Sequence, residues 1–150
     1  MTYLKEGDKA PDFEGIDQDG NLHSLETYKG KKLALYIYPR DNTPSCTNQA
    51  CNLRDNYQSM LANGYAVLGV SMDDAKSHRK FIDKFGLPFP LIADTDRKLI
   101  DAFDVWGEKK FMGKVYDGIH RTTFVIDEHG IIGRIIQKPK TKQHAEEILA

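Results

Sequence analysis

The chain contains two cysteines, Cys46 and Cys51, and their surroundings favour thiol redox chemistry. Both follow an apolar run at residues 33–38 and a short polar segment. The Thr43-Pro44 pair predicts a helix start that places Cys46 in the first turn. Free backbone N–H groups and the helix dipole favour a thiolate at that position. Cys46 is therefore the candidate nucleophile.

The spacing of the two cysteines limits how they could form a disulfide. On a regular helix, Cα atoms five residues apart are separated by about 8.6 Å, whereas a disulfide needs less than about 7 Å. If Cys46 and Cys51 lie on one continuous helix, they can be bridged only after its first turns unwind. The pair therefore predicts a redox cycle with a conformational step. Two unrelated small buried residues on an amphipathic helix are the alternative, above all for Cys51.

Composition indicates the class of protein. A chain of 150 residues with 40% hydrophobic and 29% charged residues is typical of one soluble globular domain, spanning 1–150. A net charge of −1 gives no electrostatic support for a nucleic-acid or anionic membrane partner. The N-terminus has no apolar signal core and no run approaches the length of a membrane span, so we expect a cytoplasmic protein. In a reducing compartment, two cysteines are more often redox-active, catalytic or metal-binding than structural.

The pattern of apolar residues predicts an α/β fold. Nearly continuous apolar runs at 33–38 and 66–71 predict central parallel strands, with a crossover helix over 43–63 between them. An Asp-Gly pair at 19–20 predicts an N-terminal β-hairpin. The remaining predicted elements are helices at 75–85, 97–103 and 142–149 and strands at 90–93, 122–126 and 131–136, with a long loop before residue 118. Together they match a thioredoxin-like α/β sandwich, a central mixed β-sheet flanked by helices.

With these residues in view, the chain resembles the peroxiredoxins of the bacterioferritin-comigratory protein type, also called PrxQ, over nearly its whole length. The most specific match is the pattern of Pro, three residues, Thr, two residues and Cys, met by Pro39, Thr43 and Cys46, with a second cysteine at Cys51. Supporting matches are APDF at 10–13, VWGEKK at 105–110 and GIHRTTFVID at 118–127.

The chain departs from this group at two positions near the cysteines. Ser45 stands where the group often has Gly, and a small polar residue is tolerated there unless the turn needs a positive φ. Gln49 stands where many relatives have Glu, which affects an auxiliary polar contact and not the reaction.

The resemblance implies a mechanism and a set of site residues. Cys46 would be the peroxidatic cysteine, which attacks a peroxide O–O bond and becomes a sulfenic acid. Cys51 would be the resolving cysteine, forming an intramolecular disulfide that a thioredoxin-type donor reduces. The Thr43 hydroxyl, the Cys46 backbone N–H and the Arg121 guanidinium would stabilise the developing charge, and Pro39 would shield the thiolate. No cofactor is implied, and relatives of this kind are often monomeric.

Other residues offer alternatives for parts of this site. Arg40 and Arg54 could supply the guanidinium, although we expect surface ion pairs for both. Trp106 and Phe111, in the predicted loop, fit either an apolar wall, a partner-docking patch or core packing. The five histidines have no ligand spacing with the cysteines, so no metal site is expected.

Two other functions use the same residue types. A protein thiol–disulfide oxidoreductase shares the fold but usually has a Cys-x-x-Cys pair, which is absent here. A thiol-based redox sensor or holdase could use the same unwinding of the Cys46 helix. Turnover separates them, because a catalyst consumes many equivalents of peroxide when thioredoxin is supplied and a sensor stops after one.

Overall fold

A five-stranded mixed β-sheet forms the centre of the computed structural model, which describes residues 2–150. Its strand order is β5-β4-β3-β8-β9, in which β3, β4 and β5 are parallel and β8 and β9 are antiparallel to their neighbours. The sheet strands are β3 (Lys32–Ile37), β4 (Tyr65–Ser71), β5 (Leu91–Ala93), β8 (Thr122–Ile126) and β9 (Ile132–Gln137). The expected mixed sheet is confirmed.

Strand β3 lies at the centre of the sheet because both of its faces are covered. Leu33, Leu35 and Ile37 pack into one core cluster, on the face that carries helix α4 (Lys98–Ala102). Ala34 and Tyr36 pack into the other cluster, with residues of the remaining helices. The remaining helices are α1 (Pro44–Asp55), α2 (Tyr57–Ala62), α3 (Ala75–Phe85) and α5 (His144–Leu149). This two-sided burial explains the continuous apolar run.

The segment after β3 contains two helices, and the prediction of one helix over 43–63 is wrong. Helix α1 begins at Pro44 and ends at Asp55, and Asn56 then leaves helical geometry with φ −108° and ψ 11°. The Asn56 side chain donates a hydrogen bond to the Asn52 carbonyl oxygen at 2.9 Å. Asparagine favours helix ends because its amide competes for backbone hydrogen bonds in this way. Only α1 carries the two cysteines.

The predicted long loop before residue 118 is also wrong, since it contains an antiparallel hairpin. Strands β6 (Trp106–Phe111) and β7 (Lys114–Ile119) pair along their whole length and are joined at Met112-Gly113, both with positive φ. Positive φ at both central residues is what a type I′ hairpin turn requires. Trp106 packs against the core at the hairpin base, whereas Phe111 at the tip is 66% exposed.

The bounds of the smaller elements agree with those predicted from the sequence to within about two residues. The N-terminal hairpin pairs β1 (Glu14–Ile16) with β2 (Leu22–Ser24) and is followed by a 3-10 turn at Glu26–Tyr28. Among residues 2–150, no helix has the length and apolar character that a membrane crossing would require.

Candidate active site

The first turn of α1 holds Cys46 in a buried position. Thr43 is the N-cap residue and Pro44 the first helical residue, so Cys46 is the third. The Thr43 carbonyl accepts the first intrahelical hydrogen bond, from the Thr47 N–H at 2.8 Å. Cys46 itself is 2% exposed. Its sulfur lies at the helix end where backbone N–H groups and the dipole stabilise negative charge.

Arg121, directly before β8, contacts the Cys46 sulfur. Its Nη2 donates to Cys46 Sγ at 3.2 Å, and its Nη1 donates to Gln49 Oε1 at 2.6 Å. One guanidinium thus contacts the thiol and the buried amide one turn further along α1. No local sequence pattern indicates this contact, because Arg121 and Cys46 are 75 residues apart in the chain.

From the sequence, Gln49 is expected to make only an auxiliary polar contact. In the structure it accepts a hydrogen bond from the guanidinium that contacts Cys46. Gln49 is fully buried, and its Nε2 has no hydrogen-bond partner in residues 2–150. The spacing of three residues from Cys46 places both side chains on one face of α1. That spacing was the available signal for a residue that orients the guanidinium.

Cys51 lies on the same helix as Cys46, and both thiols are free. Cys51 is partly buried. In this wound helix the Cα atoms of residues five apart are separated by about 8.6 Å, beyond the reach of a disulfide. The two cysteines therefore share an element but cannot be bridged without a change in α1.

Thr43 and Pro39 lie in the loop that joins β3 to α1. The Thr43 hydroxyl donates to the Arg40 carbonyl oxygen at 3.1 Å, so in this conformation it supports the loop and does not donate to Cys46. Pro39 is partly buried where β3 ends. Arg40 is exposed, and Arg54 forms the expected ion pair with the neighbouring Asp55. Arg121 is thus the guanidinium that reaches the sulfur.

A second cation lies near the thiol. Lys109 of β6 donates to the Ile119 carbonyl oxygen at 2.9 Å. Burial lowers the pKa of Lys109, the nearby Arg121 charge lowers it further, and Cys46 acts in the opposite direction. Burial also lowers the pKa of His120, as do positive charges that include Lys109. The surroundings of the thiol are therefore electropositive.

The side chains of Lys109, His120 and Arg121 open onto solvent through a cavity. It has a volume of about 330 Å³ and is lined by Lys109, His120, Arg121, Thr122, Gln137, Lys138 and Pro139. Since Arg121 contacts Cys46 and also lines this cavity, the cavity leads from solvent toward the guanidinium at the thiol. Among residues 2–150, no acidic side chain lines it.

Comparisons with known proteins agree with this geometry. Residues 6–135 match the model of the AhpC/TSA family. The chain is 44% identical to the peroxiredoxin Bcp of Escherichia coli strain K12 over 149 residues, covering 99% of this chain and 96% of the relative. It is 46% identical to the peroxiredoxin Bcp of Bacillus subtilis strain 168 over 143 residues, covering 95% and 91%.

Solved structures give the same result at the level of the fold. A peroxiredoxin Q from Xanthomonas campestris superimposes with a TM-score of 0.87 at 34% identity, covering 99% of this chain and 94% of that one. A mutant PrxQ from Xylella fastidiosa superimposes with a TM-score of 0.91 at 33% identity, covering 99% and 95%. The thioredoxin-like fold expected from the sequence is confirmed.

Proposed function

Because the chain belongs to the AhpC/TSA family, as a thiol peroxidase of the Bcp or PrxQ type, we propose that Cys46 is its peroxidatic residue and Cys51 its resolving residue. The observation that carries this assignment is the contact of 3.2 Å between Arg121 Nη2 and Cys46 Sγ at the start of α1. A guanidinium and a helix N-terminus both stabilise a thiolate and the oxygen anion that a peroxide releases.

The first step is a displacement on oxygen. The Cys46 thiolate attacks one peroxide oxygen, an S–O bond forms, and the O–O bond breaks. The bond electrons leave on the second oxygen, which takes up a proton and departs as water or an alcohol. Arg121 and the Cys46 N–H stabilise the charge on that leaving oxygen, and Pro39 limits the access of water. The proposed role of Thr43 is to hold the loop that shapes this space, through its bond to Arg40.

The second step joins the two cysteines. The first turns of α1 unwind, the Cys51 sulfur attacks the Cys46 sulfur, and an S–S bond replaces the S–O bond. The departing hydroxide combines with the proton from Cys51 to form water. A thioredoxin-type dithiol then reduces the disulfide by exchange and is itself oxidised. Each turn of the cycle thus transfers two electrons from the donor to one peroxide.

Two variants of one helix test the assignment. Reduced protein receives one equivalent of hydrogen peroxide and is analysed by intact mass and free-thiol count. It then receives excess peroxide with thioredoxin, its reductase and NADPH. We expect loss of both thiols as an internal disulfide, followed by steady NADPH consumption. Cys46→Ser should consume no peroxide, whereas the matched Cys51→Ser should react once and stop as a sulfenic acid or a more oxidised form.

Several outcomes would contradict the proposal. Substantial turnover by Cys46→Ser would exclude Cys46 as the nucleophile. Continued thioredoxin-dependent cycling by Cys51→Ser would exclude Cys51 as the resolving residue. Oxidation of the unmodified protein without turnover would favour a redox sensor or holdase.

We also propose a single domain, a monomeric state and a cytoplasmic location for this protein. One domain over 1–150 is expected because both core clusters pack on the same sheet. A monomer suffices because one helix supplies both cysteines. Redox-active thiols suit the reducing cytoplasm. One unfolding transition, the sedimentation mass of a single chain and recovery in the cytoplasmic fraction are the expected results. Two transitions, a dimer mass or recovery elsewhere would contradict them.

A further inference from the structure

A buried polar network lies behind the loop that connects β3 to α1. Its centre is Asp41, which is 8% exposed. Its Oδ1 accepts a hydrogen bond from the Tyr38 hydroxyl at 2.6 Å. Its Oδ2 accepts one from the Ser77 hydroxyl at 2.8 Å and lies 2.7 Å from His78 Nδ1. The residues Tyr38, Asp41, Asp73, Ser77 and His78 are called the Asp41 network below.

The imidazole of His78 ties this network to the sheet. His78 is fully buried, and its Nε2 lies 2.9 Å from the Ile92 carbonyl oxygen in β5. A carbonyl oxygen only accepts hydrogen bonds, so Nε2 carries a hydrogen. The other ring nitrogen, Nδ1, faces Asp41 Oδ2, so both nitrogens of the ring have a partner. Removing one member of a buried hydrogen-bonded set is costly, because its partners are left unsatisfied.

The backbone of Asp41 is fixed as well as its side chain. The Asp41 N–H donates to Asp73 Oδ2 at 2.8 Å, and the same oxygen accepts from the Ser71 hydroxyl at 2.6 Å. Asp73 follows β4, and Ser77 and His78 lie in the first turn of α3. The loop is therefore held by β4, α3 and β5.

The three possible cation ligands of this network are already in use. Asp41, Asp73 and His78 are the one group in residues 2–150 whose ligand atoms meet within 4.8 Å of one another. Each of these atoms makes a hydrogen bond within the protein. The arrangement fits a positioning role better than a metal site.

Helix α1 contributes no side chain to the hydrogen bonds of the Asp41 network. Unwinding the first turns of α1 therefore breaks none of those bonds. The same loop carries Pro39 and Thr43, which are seven and three residues before Cys46, and Asn42 in it has a positive φ of 60°. Asparagine adopts this conformation more readily than most residues with a side chain.

We infer that Asp41 and His78 are positioning residues that keep the catalytic loop in place while α1 winds and unwinds. This inference rests on the proposed roles of Cys46 and Cys51. The network sets where Pro39 and Thr43 stand when Cys46 meets peroxide, and it gives the unwound helix a fixed point from which to refold. Loss of the network therefore impairs the peroxide step and leaves disulfide formation intact or faster.

The chain offers a matched control. Asp17, which is 3% exposed, lies with its Oδ2 2.7 Å from His23 Nε2, and His23 Nδ1 lies 2.7 Å from the Tyr28 hydroxyl. This is a second set of Asp, His and Tyr, at the N-terminal hairpin, in which Asp17 is buried and His23 and Tyr28 are partly buried. The side-chain hydrogen bonds of Asp17 go to His23 and to backbone N–H groups of residues 19 and 21, not to the catalytic loop. Asp17→Asn thus changes a comparable buried carboxyl group away from the cysteines.

The experiment separates the two chemical steps. In a Cys51→Ser background, the rate of Cys46 oxidation by hydrogen peroxide is measured by quenched-flow mass spectrometry. With both cysteines present, disulfide formation is followed after one equivalent of peroxide, and the sulfinic acid product is counted at higher peroxide. Asp41→Asn should slow Cys46 oxidation about 10-fold to 100-fold, the range expected when reacting groups are displaced by about an ångström. The ratio of disulfide to sulfinic acid should rise.

The controls decide between positioning and general stability. Asp17→Asn should lower the melting temperature and change neither rate more than 2-fold. If Asp41→Asn does not fold, Ser77→Ala removes one donor to Asp41 and should shift both rates in the same directions by a smaller factor. Oxidation of Cys46 in Asp41→Asn or Ser77→Ala at the rate of Asp17→Asn would overturn the inference. Failure of Cys46 to oxidise in the parent protein would instead contradict the proposed function.

Discussion

Replacing Arg121 by alanine tests the part of the site that the structure defines most sharply. The substitution removes the donor 3.2 Å from Cys46 Sγ and also removes the partner of Gln49 Oε1 on helix α1. In the proposed reaction the guanidinium stabilises the thiolate and, more strongly, the charge that forms on the leaving oxygen. We therefore expect a slower peroxide step with an unchanged rate of disulfide formation.

The size of the effect follows from the geometry. Two unit charges 3.2 Å apart attract by about 5 kcal/mol at an effective dielectric constant of 20, which is an upper bound. Water would replace part of this interaction, because Arg121 is only partly buried and lines the cavity. Removal of one preorganised donor typically costs about 10²-fold to 10³-fold in rate. Since Lys109 remains nearby, we expect a loss of about 10²-fold.

The assay is the second-order rate of Cys46 oxidation in a Cys51→Ser background, where the resolving step cannot interfere. Arg121→Lys serves as the matched variant, because it keeps the charge but cannot donate to Cys46 and Gln49 through one planar group. The oxidation rate of Arg121→Lys should lie between the rates of the parent protein and of Arg121→Ala. Gln49→Leu controls for the amide that loses its partner, and it should slow the reaction less than Arg121→Ala. A rate for Arg121→Ala within 3-fold of the parent would refute the role of the guanidinium.

Three further results are expected. Lys109→Met should slow Cys46 oxidation by less than 10-fold, and the effect should shrink at high salt because charges near solvent are screened; equal rates at low salt would contradict this. Burial lowers the pKa of His144 below its usual 6.5, so the folded state binds fewer protons than the unfolded state, and the melting temperature should fall as pH drops below about 6.5. His144→Gln should weaken the pH dependence of the melting temperature. If the substitution leaves that dependence unchanged, other groups cause it. Gly69→Ala should destabilise the protein by about 1–3 kcal/mol in denaturant unfolding, because an added methyl would lie 2.6 Å from a buried leucine side chain of β5. The exposed Gly133→Ala, with 3.6 Å to its nearest contact, should have little effect, and equal losses would refute the packing argument.

Sequence patterns predicted the elements whose residues are buried in a regular way. Strand β3 was visible because both faces are covered, and the start of α1 was visible because Thr43 and Pro44 are typical of helix starts. The hairpin β6–β7 was missed because most of its side chains are exposed, so no apolar alternation marks it. The end of α1 was missed because Asn56 interrupts an otherwise helical spacing.

The residues around Cys46 were predictable only where a motif or helix spacing connects them. Cys46, Thr43 and Pro39 lie within eight residues of one another. The contact of Arg121 came from a resemblance, since nothing local to that residue indicates a partner 75 positions away. The pairing of Asp41 with His78 joins residues 37 positions apart and left no pattern, because each lies in a segment that is polar for other reasons.

The end of α1 at Asn56 limits how much of the protein must rearrange in the proposed pairing of Cys46 with Cys51. Helix formation is cooperative, so unwinding that begins at Cys46 tends to spread along a continuous helix. The interruption divides the stretch into a cooperative unit of twelve residues and a separate second helix. That second helix keeps Met60, which is fully buried, in the core. In the proposed cycle, the oxidised protein can therefore present the unwound part of α1 to a reducing partner while the second helix keeps its place in the core.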